Sequence, residues 1–368
     1  MAITRVEIKD FLVFRGEFAI DFCPGANILI GGNGSGKTTL LKTIYRLCGN
    51  GKNSDTGQYF LVDGVPFSPF NRPFEYLRMQ ADTHNGESRI SVRNVYWDGS
   101  APDNSIRTNG VFVPYNPYDY VDEYTNSKPS NYSYMSTDLI FKSEEYKTLP
   151  AVFIPAINLL PHSMGLVEMI DTYEMRFDVT QIDIIRNARL AVTKTPKPNC
   201  SKVIRRLSGT IGGEVLYDDG RFYLVEDSGE RIEFNLVASG FTRLGLLWKL
   251  LRNGLLEQGS ILLWDEPENS LNPEHIPVLV DVLLELSRNG VQLFLATHSE
   301  LLASYFAVNR IQGDQVMFYS LSKSGDQVAA DKSERFDLLQ PNNLTAEPLN
   351  LYEKELARGL GGNGYSLQ

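Results

Sequence analysis

Residues Ala26–Leu47 read ANILIGGNGSGKTTLLKTIYRL. A short apolar run leads into a glycine-rich turn, and the turn opens a segment with apolar residues at helical spacing. This is the context that G-x-x-x-x-G-K-[ST] requires, and Gly31–Thr38 fits it. Glycines let backbone N–H groups wrap a phosphate chain, and the helix N-terminus adds the positive end of its dipole. The pattern predicts a strand ending at Gly31 and a helix running to about Leu47. It assigns Gly31, Gly32, Asn33, Gly34, Ser35 and Gly36 to a phosphate cradle. Lys37 is expected to reach the β and γ phosphates, and the Thr38 hydroxyl to hold Mg²⁺. The competing reading is a glycine-rich turn that binds nothing.

A phosphate loop of this kind needs acids elsewhere. Ile261–Pro273 reads ILLWDEPENSLNP, a buried-strand run ending in two carboxylates. Asp265 is expected to orient Mg²⁺, and Glu266 to take the proton of an attacking water. Two exposed acids at a strand end are the bland alternative. Val291–Ser299, VQLFLATHS, is a second buried strand, ending in His298, one of four histidines. A neighbouring position in the sheet would set His298 beside the γ-phosphate; a packing or capping histidine is the alternative. Asn235–Leu251, NLVASGFTRLGLLWKLL, opens polar, passes through Ser-Gly and continues as an apolar helix. Unpaired N–H groups and a hydroxyl at a helix start form an anion site, although serine is also a common N-cap.

Around these segments the chain alternates. TRVEIKDFLVF and EFAIDF read as an opening strand pair, and SRISVRNVYWDG as a further strand candidate. Seven tyrosines lie between Val111 and Pro150 among Asn, Asp, Ser and Pro, which reads as a long loop or a partner-binding surface. LPAVFIPAINLL (149–160) is a buried strand broken by proline, residues 161–207 look helical and mixed, and 214–237 reads as a β-meander with turns at DDG and DSGE. From residue 260 strands and helices alternate, which predicts a parallel sheet with crossover helices. QVMFYSLSK is expected to be the last strand, followed by a polar tail. No heptad pattern joins the phosphate loop to the Ser-Gly helix, so no long coiled coil is expected.

Composition sets the bounds. The 368 residues carry a net charge of −10 and 42% hydrophobic residues, the profile of a chain that buries a real core. An isoelectric point of about 5.1 argues against a uniformly basic nucleic-acid binder. Cys23, Cys48 and Cys200 match no metal spacing and read as reduced thiols. The N-terminus is a strand pattern rather than a secretion signal, and no apolar run is long enough for a membrane span. A cytoplasmic location without membrane contact is the expectation.

GGNGSGKTT, WDEPENSLNP and LATHS, in this order, resemble the Walker A, Walker B, D-loop and H-loop segments of the ABC ATPase superfamily. The likeness is to the SMC, RecF and OLD group, carried also by VEIKDFLVFRGEFAIDFCPGANILIGGNGSGKTTLLK, by VFIPAINLL and by NLYEKEL. It implies an α/β fold over residues 1–368: a P-loop ABC ATPase head with a mixed, largely parallel core sheet, an antiparallel β subdomain and a helical signature lobe. Within it lie N-terminal strands and phosphate loop (1–50), a β and loop insertion (51–150), a helical and β lobe with the signature (151–258), and the acidic and histidine segments (259–368). It adds Thr39 and the D-loop Asn272 to the nucleotide contacts. LVASGFTR resembles the signature segment, whose helix points at the γ-phosphate held by a second chain. Aligned one way Ala238 replaces the signature serine; aligned the other, Ser239 is that serine and Phe241 replaces a glycine. Ser239 and Gly240 are the favoured pair. Ala156 stands where many relatives carry a Q-loop glutamine, with Gln80 as a substitute candidate. Arg15 could contact phosphate or adenine, or be a surface arginine.

The resemblance implies ATP and Mg²⁺ as ligands and a homodimer, or a higher multiple of dimers, with two composite ATP sites. One reading is an ATP-driven switch controlling a separately encoded nuclease or toxin in anti-phage defence. The 70 residues after His298 leave no room for an appended Toprim nuclease. A second reading is a DNA-repair ATPase, with KTPKPNCSKVIRR (194–206) as a basic patch toward nucleic acid. A transporter subunit is a third, opposed by the missing Q-loop and the altered signature.

Overall fold

The computed structural model describes residues 2–11, 13–48, 149–173, 177–193 and 198–359, with short strands between 61 and 114. In chain order β1 (Ala2–Phe11), β2 (Phe14–Asp21) and β3 (Ala26–Gly31) lead into α1 (Lys37–Leu47). There follow β4 (Leu61–Val62), β5 (Val65–Pro66), β6 (Glu87–Val95), β7 (Ser105–Thr108), β8 (Val113–Pro114) and β9 (Ala151–Ile154). Helices α2 (Leu166–Thr172), α3 (Val179–Arg189) and α4 (Pro198–Ile211) precede the meander β10 (Gly213–Asp218), β11 (Arg221–Glu226) and β12 (Arg231–Glu233). The remainder is α5 (Ser239–Arg252), β13 (Ile261–Asp265), α6 (Ile276–Arg288), β14 (Gln292–Ala296), α7 (Glu300–Asn309), β15 (Val316–Ser324), β16 (Gln327–Ser333) and α8 (Asn343–Gly359).

The core sheet has the order β16-β15-β3-β14-β13-β9. All its pairs are parallel except β15 with β16. Every residue of β3, β13 and β14 is buried. That explains their near-continuous apolar text: both sheet faces are covered, so neither face selects polar residues. Alternate side chains serve two cores. Ile28, Ile30, Leu262, Trp264 and Leu293 face the helical side, where Leu247, Leu279 and Phe306 pack. Leu29, Leu263 and Phe294 face the other side, where Leu40, Leu41 and Ile44 of α1 meet Val6 and Ile20 of the N-terminal strands.

Strands β1 and β2 form the expected antiparallel pair, and β1 also pairs with β6, the strand expected around SRISVRNV. Gln292, buried at the start of β14, ties that sheet to the core. Its Oε1 accepts from the Ile3 N–H at 2.8 Å, and its Nε2 donates to the carbonyls of Ile3 and Cys23, each at 2.8 Å. A buried amide with all these bonds made holds two layers in one register.

The meander forms as expected. Asp218 pairs with Arg221 across Asp219-Gly220, both with positive φ (46° and 76°), the conformation a two-residue Asp-Gly hairpin turn needs. α5 packs against it at Gly245, where an added Cβ would lie 3.1 Å from Val215 and 3.2 Å from Phe234.

The expected polar tail is corrected. After β15 the chain returns as β16, and the described residues end with the 17-residue helix α8. β16 buries only one full position, Val328, so its text carries almost no apolar alternation. α8 is exposed from Ala346 to Arg358 and its text reads as polar for the same reason. Gln80, residues 194–197 and the tyrosine-rich stretch, apart from Val113–Pro114 and Leu149–Pro150, lie outside the described residues. Of the basic run, Lys202 and Arg205 are exposed on α4, while Arg206 is bonded to Asp281 at 2.6 Å. Cys48 and Cys200 are buried and Cys23 is half-buried; none of the three is in a disulfide. Among the described residues no helix is long and apolar enough to cross a membrane.

Candidate functional site

α1 starts at Lys37, directly after the glycine-rich turn. The turn is shaped by close approach. A Cβ on Gly31 (φ 143°) would sit 2.2 Å from the Leu321 carbonyl oxygen, and one on Gly36 (φ 100°) 2.9 Å from the Phe14 ring. Neither position tolerates a side chain. Lys37 is buried, and its Nζ donates to the carbonyls of Gly31 (2.7 Å) and Gly32 (3.1 Å). Burial lowers its pKa, against the opposing pull of Asp265, Glu266 and Glu268. Ser35 Oγ is buried with no hydrogen-bond partner. Asn33 and Gly34 lie on the exposed rim, and Thr39 is half-buried, one residue into the helix after Thr38.

β13 lies one strand away from β3, with β14 between them. Its last residue, Asp265, accepts a hydrogen bond from Thr38 Oγ1 at 2.8 Å. One carboxylate and one hydroxyl, with the other positions left to phosphate oxygens and water, is the donor set that suits Mg²⁺. Among the described residues no cluster of three His, Cys, Asp or Glu offers a protein-only cage. Bound there, Mg²⁺ would neutralise phosphate charge; Thr38 and Asp265 are the residues fitted to hold it.

Burial raises the Asp265 pKa, offset by the Thr38 bond and raised further by the charge of Glu266. A carboxyl whose folded pKa is raised binds more protons folded than unfolded. Its stabilising share is therefore present at low pH and lost as pH rises through the raised value. Asp265→Asn keeps an acceptor for Thr38 and removes the buried charge. Thermal unfolding at neutral pH should show the Asn variant more stable by about 1–3 °C, with the difference vanishing in acid.

Glu266 leaves the strand in a left-handed conformation, φ 49°, rare for a residue with a side chain. The conformation is fixed on both sides. Its N–H donates to the Ala296 carbonyl at 2.8 Å, and its carbonyl accepts from the Asn269 N–H at 3.0 Å and from Arg243 at 2.7 Å. The carboxylate, 37% exposed, stands 4.0 Å from His298 Nε2. β13 and β14 are adjacent and parallel, with Asp265 level with Ala296, so their carboxyl ends bring Glu266 and His298 together.

Two residues of this network were not singled out from the sequence. Arg243, on the second turn of α5, is buried and donates to the carbonyls of Ala156 (2.6 Å), Glu266 (2.7 Å) and Asp265 (3.3 Å). Burial pushes its pKa down to about 10, against the charges of Glu268, Glu266 and Asp265. The available signal was an arginine in the first half of an apolar helix, four residues after Ser239. Glu268 is the other. Its Oε1 accepts from the Thr297 hydroxyl at 2.8 Å and from the His298 N–H at 2.9 Å, tying the loop after β13 to the turn that carries His298. Its signal was the third acid in WDEPE.

Ser239 is exposed and is the first helical residue of α5, not its cap; Ala238 takes the N-cap position and makes no side-chain cap bond. The helix start therefore presents N–H groups that no side chain satisfies. Gly240 is buried: an added Cβ would lie 2.8 Å from the Ser270 carbonyl oxygen and 3.2 Å from Leu271. Asn272 is exposed and caps the turn Pro273–His275 through the Glu274 N–H at 3.2 Å. Ala156, in place of a glutamine, offers its carbonyl to Arg243 and Asn269. α3 brings Gln181 to this segment, with Nε2 bonded to the Ile157 carbonyl at 3.0 Å and a buried Oε1 without a partner. Arg15 pairs with Asp326 at 3.1 Å.

The fold is that of the ABC-type ATPases of the SMC and RecF group. The family described as "AAA domain, putative AbiEii toxin, Type IV TA system" matches residues 26–304, and the chain belongs to it. The DNA replication and repair protein RecF of Heliobacterium modesticaldum is 46% identical over 55 residues, 15% of this chain and 14% of that protein. RecF of Pectobacterium atrosepticum is 52% identical over 54 residues, 14% of each. The match thus spans about one seventh of the length of these relatives. Among solved structures, an SMC head bound to the C-terminal winged-helix domain of ScpA is similar with TM-score 0.51 and 13% identity, over 92% of this chain and 100% of that one. At that identity the likeness concerns the fold.

Proposed function

We propose that this chain is a Mg²⁺-dependent ATPase that works as a switch, two copies closing head-to-tail around two ATP molecules. The observation that carries the reading is the convergence of Lys37, Thr38, Asp265, Glu266 and His298 where β3, β13 and β14 end. In this reading Gly31–Thr39 cradle the phosphates, Thr38 and Asp265 hold the metal, Glu266 accepts the proton of the attacking water and His298 faces the γ-phosphate. Ser239 and the uncapped start of α5, with the D-loop Asn272, serve the nucleotide of the partner copy. The buried contact of Gly240 with Ser270 and Leu271 supports treating signature and D-loop as one rigid docking face. The switch would act on a separately encoded effector, a reading supported by the toxin–antitoxin description of the family. An anti-phage role extends the same idea.

The test is ATP-dependent dimerisation. Sedimentation of the wild type should shift to a dimer on adding ATP and Mg²⁺. Ser239→Arg should keep the oligomeric state it has without nucleotide while binding ATP within about threefold of wild type, because the residue is exposed and makes no cap. A Ser239→Arg protein that dimerises like wild type would sink the head-to-tail arrangement.

A DNA-repair role is the second reading, favoured by the RecF matches. Steady-state ATP hydrolysis with and without duplex DNA separates the two. Clear stimulation by DNA would favour repair or DNA sensing and direct attention to Lys202 and Arg205. A slow rate indifferent to DNA would favour a switch gated by protein.

A further inference from the structure

The last part of the chain, beyond residues 26–304 of the family match, comes back to the phosphate loop. β15 runs parallel to β3 with Leu321 opposite Gly31. The Leu321 carbonyl occupies the space a Gly31 side chain would need, so the register is held by contact as well as by hydrogen bonds. Two residues further, the hairpin between β15 and β16 passes beside the loop. Lys323 Nζ lies 3.9 Å from the point where a Cβ on Gly34 would stand. The Ser320 hydroxyl bonds the Pro341 carbonyl and carries the chain back again. Asn343 Nδ2 consequently lies 4.0 Å from the corresponding point on Gly32.

Charge pairing singles out Lys323. Other basic residues of β2 and the C-terminal segment are matched: Arg15 with Asp326 at 3.1 Å, Lys332 with Asp21 at 3.4 Å and Arg335 with Asp337 at 2.5 Å. Lys323 is exposed and pairs with no carboxylate among the described residues. The Arg15–Asp326 pair also ties the hairpin turn to the start of β2, so the ammonium is delivered from a strand end held by β3 and β16 on its flanks and by this pair at the turn. Lys37 is buried beneath the loop and reaches the floor of the cradle; nothing in the loop itself supplies a cation at its exposed rim, Gly32–Gly34.

We propose that Lys323 is a second cationic ligand of the nucleotide's phosphate chain, donated to the rim of the loop by the C-terminal hairpin. The inference rests on the reading of Gly31–Thr38 as a nucleotide site and extends it to a residue outside the motifs. An ammonium there forms a charge-assisted bond to a phosphate oxygen without leaving water entirely, so the effect is moderate.

The experiment is equilibrium binding of a fluorescent ATP analogue (mant-ATP with Mg²⁺) to the full chain, with thermal unfolding of each variant alongside. Lys323→Ala should weaken binding about fivefold to tenfold and Lys323→Glu about thirtyfold or more, while Lys323→Arg stays within about twofold. Melting temperatures without nucleotide should be unchanged for all three, since the side chain is exposed. Lys332→Glu, the same charge change on the same hairpin but paired away from the loop, should bind as wild type and so rules out a diffuse surface-charge effect. A Lys323→Glu protein that binds like wild type, with Lys37→Ala defective, overturns this inference and leaves the site reading standing. Lys37→Ala binding like wild type overturns the site reading and this inference together.

Discussion

Glu266→Gln should bind ATP with nearly wild-type affinity and hydrolyse it about a thousandfold more slowly, the size expected for removing a positioned general base. Glutamine has the shape of glutamate but cannot accept a proton from water. The backbone that aims the side chain is untouched, because φ 49° is held by bonds to the main chain: Ala296 O, the Asn269 N–H and the Arg243 guanidinium. The carboxylate is 37% exposed, so the folded state should keep its melting temperature within about 1 °C. A single-turnover measurement isolates the chemical step from product release. With hydrolysis blocked, the ATP-bound dimer should accumulate in sedimentation at protein concentrations where the wild type cycles back. If Glu266→Gln turns over like wild type, the proton goes elsewhere. Glu268 is then the next carboxylate to test, since it contributes to the charge around Lys37 and Arg243.

The parts of this site that were legible in the sequence are those where one short segment carries the whole constraint. Gly31–Thr38 specifies a strand end, a turn and a helix start within eight residues, and the backbone follows. ILLWDE and VQLFLATHS are apolar because both faces of the sheet are covered, so their period could not say which neighbour each strand had. Their parallel pairing followed from the crossover helix between them. Arg243 was illegible for a different reason. Its partners are carbonyl oxygens of Ala156, Asp265 and Glu266, and backbone acceptors leave no mark on residue identity. Glu268 was visible as an acid, but its partners, Thr297 and the His298 N–H, lie about thirty positions away. At Ser239 two readings were open, an anion contact at a helix start and an N-cap; the helix begins on Ser239 and Ala238 precedes it uncapped, so the serine is not the cap. The C-terminal strand and helix were missed because a sheet-edge strand and an exposed helix bury too little to leave a pattern.

Lys37→Ala should lose ATP binding by at least about a hundredfold. The ammonium is buried among Asp265, Glu266 and Glu268, whose charges favour its protonated form while burial opposes it. Take the cation away and Arg243 alone of the two buried cations is left to balance three carboxylates, which repels a polyanion as well as failing to bind it. The carbonyls of Gly31 and Gly32, which now accept from Nζ, would also lose their donor at the floor of the loop. Arginine should not rescue the defect. Its planar fork is larger and cannot occupy a site in which lysine is only 5% exposed without moving the loop. A ligand that binds only the folded state raises its melting temperature with concentration, so titrating ATP during thermal unfolding gives a second readout. The wild type should climb with ATP and Lys37→Ala should stay flat across the same range. A Lys37→Ala protein whose melting temperature follows the wild-type curve would place the nucleotide somewhere other than this loop.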